Sequence, residues 1–387
     1  MSKFYDITNI AKLNCQYNFL LSGRNQGKSY QVKHKVVKDA FEDENNKFVY
    51  LRRYGVEMGQ NGDIEQYFKN VDVPKVTKKK WQFIAVQKKK IYLAKWDVKR
   101  KKIKTLDKNG KPTETIDEWE ERLIGPQIGY IISLTESLQK KSLVYEDVEN
   151  VVYEEFLTKG DYLHNEPDLL QELISTIARN RVIKVWLIAN TVTRLNPYIR
   201  AWGLFRVSKQ QPGTIDVYEH HYNDVDGNDM VITIAVEMIV SNNEAGAMAV
   251  GTYRNAIISG HWTTYPAPHL PEPIEHYTIC HKIYFSYLDI VYLAYLLQDK
   301  EHNYFWYVKP GKERNYKASN GKVYKNDYPD FKRRITDYWD FSNYHTQKLI
   351  PINQKEQFAI NLLNIGKICY SDDLTGTEFP EVLKSFR

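Results

Sequence analysis

The segment Ser22-Gly23-Arg24-Asn25-Gln26-Gly27-Lys28-Ser29 constrains this chain more than any other. It follows the phosphate-binding pattern G-x-x-x-x-G-K-[ST], with Ser22 in place of the first glycine. Such a loop works between a buried strand and a helix, where backbone N–H groups and the helix N-terminus attract anions. Both flanks are present. Tyr17 to Leu21 reads as a buried strand, and a helical stretch runs from about Gly27 to Phe41. In that frame Gly27 lets the backbone wrap close to phosphate. Lys28 reaches the β- and γ-phosphates, and Ser29 holds Mg²⁺. Gly23, Arg24, Asn25 and Gln26 complete the candidate ATP loop. An ordinary Gly-Lys-Ser helix start is the bland alternative, and the strand–loop–helix context weighs against it.

The first half of the chain goes on alternating strand-like and helix-like segments. Lys47 to Arg53 and Val182 to Asn190 read as buried strands. Asn150 to Tyr153 is a strand that stops at two glutamates. Asp168 to Ala178 is helical, with Leu169, Leu170, Leu173, Ile174 and Ile177 on one face of a 3.6-residue period. Apolar strands alternating with helices predict an α/β fold with a parallel sheet covered on both faces. The strand ends then become candidate chemistry. Glu154 is placed to help hold the metal and Glu155 to polarise the attacking water. Asn190 is placed to sense the γ-phosphate. A solvated strand end and an Asn-capped turn are the plain alternatives. Arg179 and Arg181, after the amphipathic helix, either satisfy the helix C-terminus or reach a neighbouring subunit's nucleotide.

The interval from Lys75 to Lys111 holds fifteen Lys and Arg, opposed within it only by Asp97 and Asp107. The alternation in WQFIAV and IYLAKW, with DKNG as a turn, predicts antiparallel hairpins. The expectation is a basic β insertion over about 75–112. Its residues Lys88, Lys89, Lys90, Lys99, Arg100, Lys101, Lys102 and Lys104 are candidates for gripping a nucleic-acid backbone. A solvated surface hairpin is the alternative.

Beyond about Val207 the pattern loosens. Residues 214–240 read as short strands with an Asp226–Gly227 turn. Ser241 to Gly251 reads as a hinge, and Thr263 to Pro273, with four prolines, as a linker. YTICHKIYFSY is a predicted strand and Gln354 to Ile365 a helix. Cys15, Cys280 and Cys369 form no metal-ligand spacing and no disulfide framework, which fits a reducing cytoplasm. No signal peptide and no apolar run of membrane-spanning length is evident, so a soluble intracellular protein is expected.

Four segments together resemble one family: NFLLSGRNQGKSY (18–30), FVYLRRY (48–54), VVYEEF (151–156) and ARNRVIKVWLIANTVTRLNPY (178–198). Their order and spacing are similar to the DNA encapsidation proteins, the packaging ATPases of small podoviruses. The Asn-Pro-Tyr at 196–198 and the paired arginines after the second strand are especially specific. The resemblance implies a P-loop ATPase domain over 1–228, of the class with an additional strand between the Walker strands and a catalytic glutamate. It implies a linker region over 229–273 and a C-terminal domain over 274–387 with a ribonuclease-H-like fold lacking an active nuclease centre. It further implies ATP hydrolysis with Mg²⁺ by a ring, commonly pentameric, that drives double-stranded DNA into an empty capsid. The partners implied are the portal vertex and, in some members, a packaging RNA; the place of action is the portal in the host cytoplasm, with no membrane. Carried over residue by residue, Arg24 fits the family loop, Lys28 and Ser29 the nucleotide and Mg²⁺ positions, and Glu155 the catalytic glutamate. Glu154 stands where relatives usually have Asp. Arg179 matches the position acting in trans, and Lys141 matches a further basic position more loosely.

Two other classes compete. A large terminase would also cut DNA, which needs clustered carboxylates for two metals. The C-terminal acids Asp289, Asp337, Asp340, Asp372 and Asp373 are scattered along the sequence. A nucleotide-switched binding protein without motor activity has no need of both Glu155 and Arg179.

Overall fold

The computed structural model describes residues 5–384 apart from 60, 107–111, 137–144, 146, 159–161, 180, 192–194, 224–226, 241–265, 288–289, 312–315, 318–322, 325–337 and 341–353. Lys141, the expected hinge at 241–251 and residues 263–265 of the proline-rich stretch therefore lie outside the described residues.

A nine-stranded sheet organises the first 238 residues. Its strands are β1 (Tyr17–Ser22), β2 (Lys47–Arg52), β3 (Phe83–Gln87), β4 (Lys90–Leu106), β5 (Pro112–Ser133), β6 (Val148–Glu154), β7 (Lys184–Asn190), β8 (Thr214–Asn223) and β9 (Asp229–Met238). The order is β3-β4-β5-β2-β6-β7-β1-β9-β8. From β5 to β9 the neighbours are parallel. Antiparallel β3–β4 close one edge and β8 the other. β7 lies between β1 and β6, which is the additional strand expected between the two nucleotide strands.

The parallel strands are buried on both sides, as their continuous apolar runs require. One face packs Leu20, Tyr50, Val152 and Trp186 under helix α2 (Lys28–Glu42), whose Val32, Val36, Val37 and Ala40 form its buried stripe. The short helices α1 (Thr8–Lys12), α3 (Asn61–Phe68) and α4 (Val73–Val76) belong to the same side. The other face packs Phe19, Val151, Tyr153 and Leu187 under α5 (Glu166–Ala178) and α6 (Pro197–Ala201). Asn196 caps α6, its Oδ1 accepting from the N–H groups of Tyr198 and Ile199 at 3.1 Å each.

Two expectations change. The basic insertion does not end at 112. Its return strand β5 runs on to Ser133 and enters the central sheet, pairing Gly129 with Phe48 of β2. The boundary expected at 228 falls inside the β8–β9 hairpin, because β9 is a core strand beside β1. Ile234, Val236 and Met238 of β9 are buried there, which a linker starting at 229 would not be.

A second sheet follows: β10 (Thr278–Tyr287), β11 (Ile290–Gln298), β12 (Tyr304–Pro310), β15 (Tyr338–Asp340) and β16 (Ile368–Tyr370), in the order β15-β10-β11-β12-β16. β10–β12 form an antiparallel meander, with β15 parallel to β10 and β16 parallel to β12. β13 (Tyr316–Lys317) and β14 (Val323–Tyr324) make a separate small hairpin. Helices Gln354–Asn364 and Asp373–Lys384 pack on the meander through Leu363, Phe379 and Val382.

Candidate functional site

The loop after β1 is closed by left-handed residues. Asn25 has φ 60° and Gly27 φ 90°, and Gly27 is the cap from which α2 starts. At that φ a Cβ is disfavoured, which is why the glycine before Lys28 is the stringent position of the pattern. The Lys28 Nζ turns back into the loop. It donates to Ser22 Oγ at 2.7 Å, to the Gly23 carbonyl at 2.9 Å and to Asn190 Oδ1 at 3.3 Å. Ser22, the departure from the pattern, is fully buried and supplies this hydroxyl acceptor. Burial pushes the Lys28 ammonium down to about 7, with Glu154 pulling the other way. A cation so poorly compensated is suited to receive an anion. Gln26 is buried and braces the loop, its Nε2 donating to the Arg24 carbonyl at 3.0 Å; Arg24 itself is exposed.

Glu154 ends β6 directly across from α2. Its Oε2 takes the Lys33 ammonium at 2.9 Å and the Tyr50 hydroxyl. Burial pushes its carboxyl up, but Lys33, Tyr50 and the Ser29 hydroxyl outweigh this and hold it below the usual carboxylate range. Its other oxygen, Oε1, is buried and carries no hydrogen bond among the described residues. A buried carboxylate oxygen left bare beside Ser29 fits a hard cation such as Mg²⁺. Lys33, one turn after Ser29 on α2, and Tyr50 on β2 were not singled out from the sequence. They hold the Glu154 carboxylate at the end of β6.

Glu155 follows at φ 56°, a left-handed conformation unusual for a residue with a side chain. Its N–H donates to the Ile188 carbonyl at 2.7 Å, and its carbonyl accepts from Arg53 Nη1 at 3.2 Å. The side chain stands 65% exposed, with Oε2 3.0 Å from Arg52 Nη2. Arg52 is itself held by Glu57 at 2.9 Å.

Arg53 and Glu166 form a second, deeper set. Arg53 Nε and Nη2 donate to the two Glu166 oxygens at 2.7 and 2.9 Å. The Tyr153 and Tyr198 hydroxyls donate to Glu166 Oε1 at 2.9 and 2.6 Å, and the Leu163 N–H donates to Oε2 at 2.9 Å. Arg53 Nη2 also reaches the Phe156 carbonyl at 2.6 Å. Arg53, Glu166, Tyr153, Tyr198 and Phe156 are buried, and Leu163 is half-buried. The set pins the backbone on both sides of the Glu155–Phe156 bond. The paired arginines and Tyr198 had stood out in the sequence; Glu166, the carboxylate that Arg53 and Tyr198 share, had not.

The remaining candidates lie elsewhere. Arg179, at φ 42°, caps the C-terminus of α5 and is exposed. α5 begins against the C-terminal ends of β2 and β6, through Glu166, and ends against the N-terminal end of β6, where Arg181 binds the Val148 carbonyl. Arg179 is therefore at the opposite end of the sheet from Lys28, about 20 Å away along seven strand residues. Arg181 is a structural tie, donating to the Tyr145, Val148 and Ile177 carbonyls and to Glu149. That removes it as a candidate for reaching a neighbour.

The basic residues divide into two groups. Lys88 and Lys89 form the β3–β4 turn at φ 49° and 59°, at the same edge as the phosphate loop, with Lys90 opening β4. Lys89 is paired with Glu136 at 2.7 Å. Lys99, Arg100, Lys101 and Lys102 lie on the part of β4 that runs past the opposite end of the sheet. They are not isolated charge. Across from them β5 sets Asp117, Glu118, Glu120 and Glu121, with Arg100 on Glu118 at 3.1 Å and Lys99 on Asp97 at 2.8 Å. Lys104 is on β4, and its side chain lies outside the described residues.

Residues 66–227 match the family model described as Podovirus DNA encapsidation protein (Gp16), a stretch that starts after the phosphate loop. The DNA packaging protein of Bacillus phage phi29 is 24% identical over 209 residues, covering 52% of this chain and 51% of that one. That of Bacillus phage B103 is 27% identical over 195 residues, covering 48% of each. The chain spans about half the length of the curated relatives it matches. Among solved structures, a chain of the bacteriophage Phi-29 viral genome packaging motor assembly aligns over 100% of both chains, with a TM-score of 0.50 and 18% identity. In sequence over residues 66–227 the chain is thus similar to the podovirus DNA encapsidation proteins, and in fold it is similar to a chain of the Phi-29 packaging motor.

Proposed function

We propose that this chain is the ATP-hydrolysing subunit of a ring motor that drives double-stranded viral DNA into an empty capsid. One observation carries the reading: β1, β6 and β7 bring Lys28, Asn190, Ser29, Glu154 and Glu155 to one edge of the sheet. Lys28 meets the β- and γ-phosphates as they replace Ser22 and Gly23 around its ammonium. Ser29 and the bare Glu154 oxygen would hold Mg²⁺, whose charge would offset that of the phosphates. Glu155 takes the proton of the water that attacks the γ-phosphorus. The new bond is from water oxygen to phosphorus, the bond to the β-phosphate oxygen breaks, and ADP and phosphate leave. Asn190, beside Lys28, reports the γ-phosphate.

Arg179 is too far from its own phosphate loop to act there. Its place at the opposite end supports action on the nucleotide of an adjacent copy, so the active unit is a ring. Resemblance to the packaging proteins supports double-stranded DNA, the capsid portal, a pentamer and, in some relatives, a packaging RNA as partners, and the host cytoplasm as setting. Lys88 to Lys90, at the nucleotide edge, are the DNA contacts we favour. We further propose an ATPase domain over 1–238 and a nuclease-inactive, ribonuclease-H-like domain over 274–387. The β10–β12 meander with a parallel strand on β10 supports that fold. Of the acids weighed for a nuclease, Asp372 accepts from the Thr375 N–H, and Asp373 from the Ala267 N–H. Asp289 and Asp337 lie outside the described residues, as does the side chain of Asp340.

The test is nucleotide binding by Lys28→Ala. Equilibrium titration with a fluorescent ATP analogue and Mg²⁺ is expected to show no measurable binding, with thermal stability retained or increased because a poorly compensated buried cation is removed. Binding at the level of the unmodified chain would overturn the phosphate-loop reading.

A further inference from the structure

The end of the sheet away from the phosphate loop is unusually apolar for a surface. The β4–β5 ribbon runs out past the N-terminal end of β2, because β5 joins β2 only from Gly129 onward. Residues 96–106 of β4 alone reach roughly 30 Å. Trp96 and Val98 are 48% and 47% exposed, Ile116 63%, Trp119 43% and Leu123 39%. Register places Trp96, Val98 and Ile116 on one face, and Trp119 and Leu123 on the other. More exposed apolar residues lie at the same end of the sheet, toward its other edge: Leu13 after α1, Val182 before β7, and Tyr222 and Met230 where β8–β9 overrun β1.

The charge on the arm fits protein better than DNA. Over 95–102 and 116–123 there are six basic residues, Lys95, Lys99, Arg100, Lys101, Lys102 and Arg122. There are five acidic ones, Asp97, Asp117, Glu118, Glu120 and Glu121. Phosphate grip needs an unbalanced positive surface. Large apolar groups among charges of both signs are the make-up of a protein interface.

We propose that the β4–β5 arm is a clasp that docks on the nucleotide edge of a second copy of this chain. This rests on the ring reading above. A ring needs two different patches, one on each side of the subunit. The arm and Arg179 leave the sheet at the same end, so both address the same neighbour. That neighbour offers its opposite end, where Val56, in the turn after β2, is 90% exposed beside Arg52 and Glu57. The clasp sets the distance at which Arg179 meets the neighbour's nucleotide.

The test uses the full chain with two arm variants. One is Val98→Asp with Trp119→Asp. The other shortens the arm by joining Lys95 to Leu123 through Asn-Gly. Self-association is measured by sedimentation equilibrium with Mg²⁺, a nonhydrolysable ATP analogue and duplex DNA. Both variants are expected to associate at least about tenfold more weakly, the loss typical of buried aromatic anchors. Melting temperature checks the fold, and ATP-analogue binding by the dilute chain is read in the same samples. Loss of that binding in the unmodified chain counts against the phosphate loop, not the clasp. In an exposed-cysteine-free background (Cys280→Ser, Cys369→Ser), Ile116→Cys chains mixed with Val56→Cys chains are expected to crosslink to each other through a short bismaleimide. Unchanged self-association in both arm variants overturns the proposal. So does an unmodified chain that stays monomeric under all these conditions. A loss confined to DNA affinity, with association intact, overturns it in favour of a DNA-gripping arm.

Discussion

Arg53→Met is expected to destabilise the N-terminal α/β domain by about 3–5 kcal/mol, the scale for removing one partner of a buried ion pair. Glu166 is wholly buried and Arg53 is its only cationic partner among those described. Without Arg53 the Tyr153 and Tyr198 hydroxyls still reach the carboxylate, but its charge has no counterion. Arg53→Lys is expected to recover little. An ammonium cannot make the bidentate contact to Glu166 while also reaching the carbonyls of Glu155 and Phe156. Denaturant unfolding followed by tryptophan fluorescence gives the number. ATP turnover should fall further than the folded fraction does, since Arg53 fixes the left-handed backbone that carries Glu155. A midpoint equal to that of the unmodified chain would mean that the tyrosines alone satisfy Glu166.

The sequence revealed what is local or strongly patterned. The apolar runs at 17–21 and 184–189 are strands because only a sheet buried on both faces needs such runs. Gly27 and Lys28 sit at fixed offsets from a strand and a helix. Glu154, Glu155 and Asn190 are legible as polar residues that end apolar strands. The misreadings all involve partners distant in sequence. The basic stretch looked unopposed because its neutralising strand starts at Pro112, where the window closed; strand pairing, not adjacency, sets the local charge. Arg53 and Glu166 are 113 residues apart, and nothing in either local segment points to the other. Arg181 donates to three backbone carbonyls, a role only the fold displays. The expected boundary at 228 lies between β8 and β9, two paired strands of one sheet.

Arg179→Ala carries the largest expected loss of rate. Arginines supplied in trans contribute on the order of 10³ to 10⁵ to phosphoryl transfer. Nucleotide binding by the isolated chain should be untouched, because Arg179 is at the far end of the sheet from Lys28. Turnover per subunit of the unmodified chain should rise with protein concentration as copies assemble, while Arg179→Ala stays slow at every concentration. Glu155→Gln should be equally slow and still bind ATP, since the amide keeps the shape and loses the base. The most direct measurement mixes these two variants. Each supplies what the other lacks at one type of interface, a normal Glu155 site facing a normal Arg179. DNA-stimulated ATP hydrolysis is followed as the mixing ratio is varied, with co-assembly confirmed by native mass spectrometry. The ring-motor account predicts activity that is absent at both ends of the ratio and rises between them. Mixed rings as inactive as either parent at every ratio would contradict it.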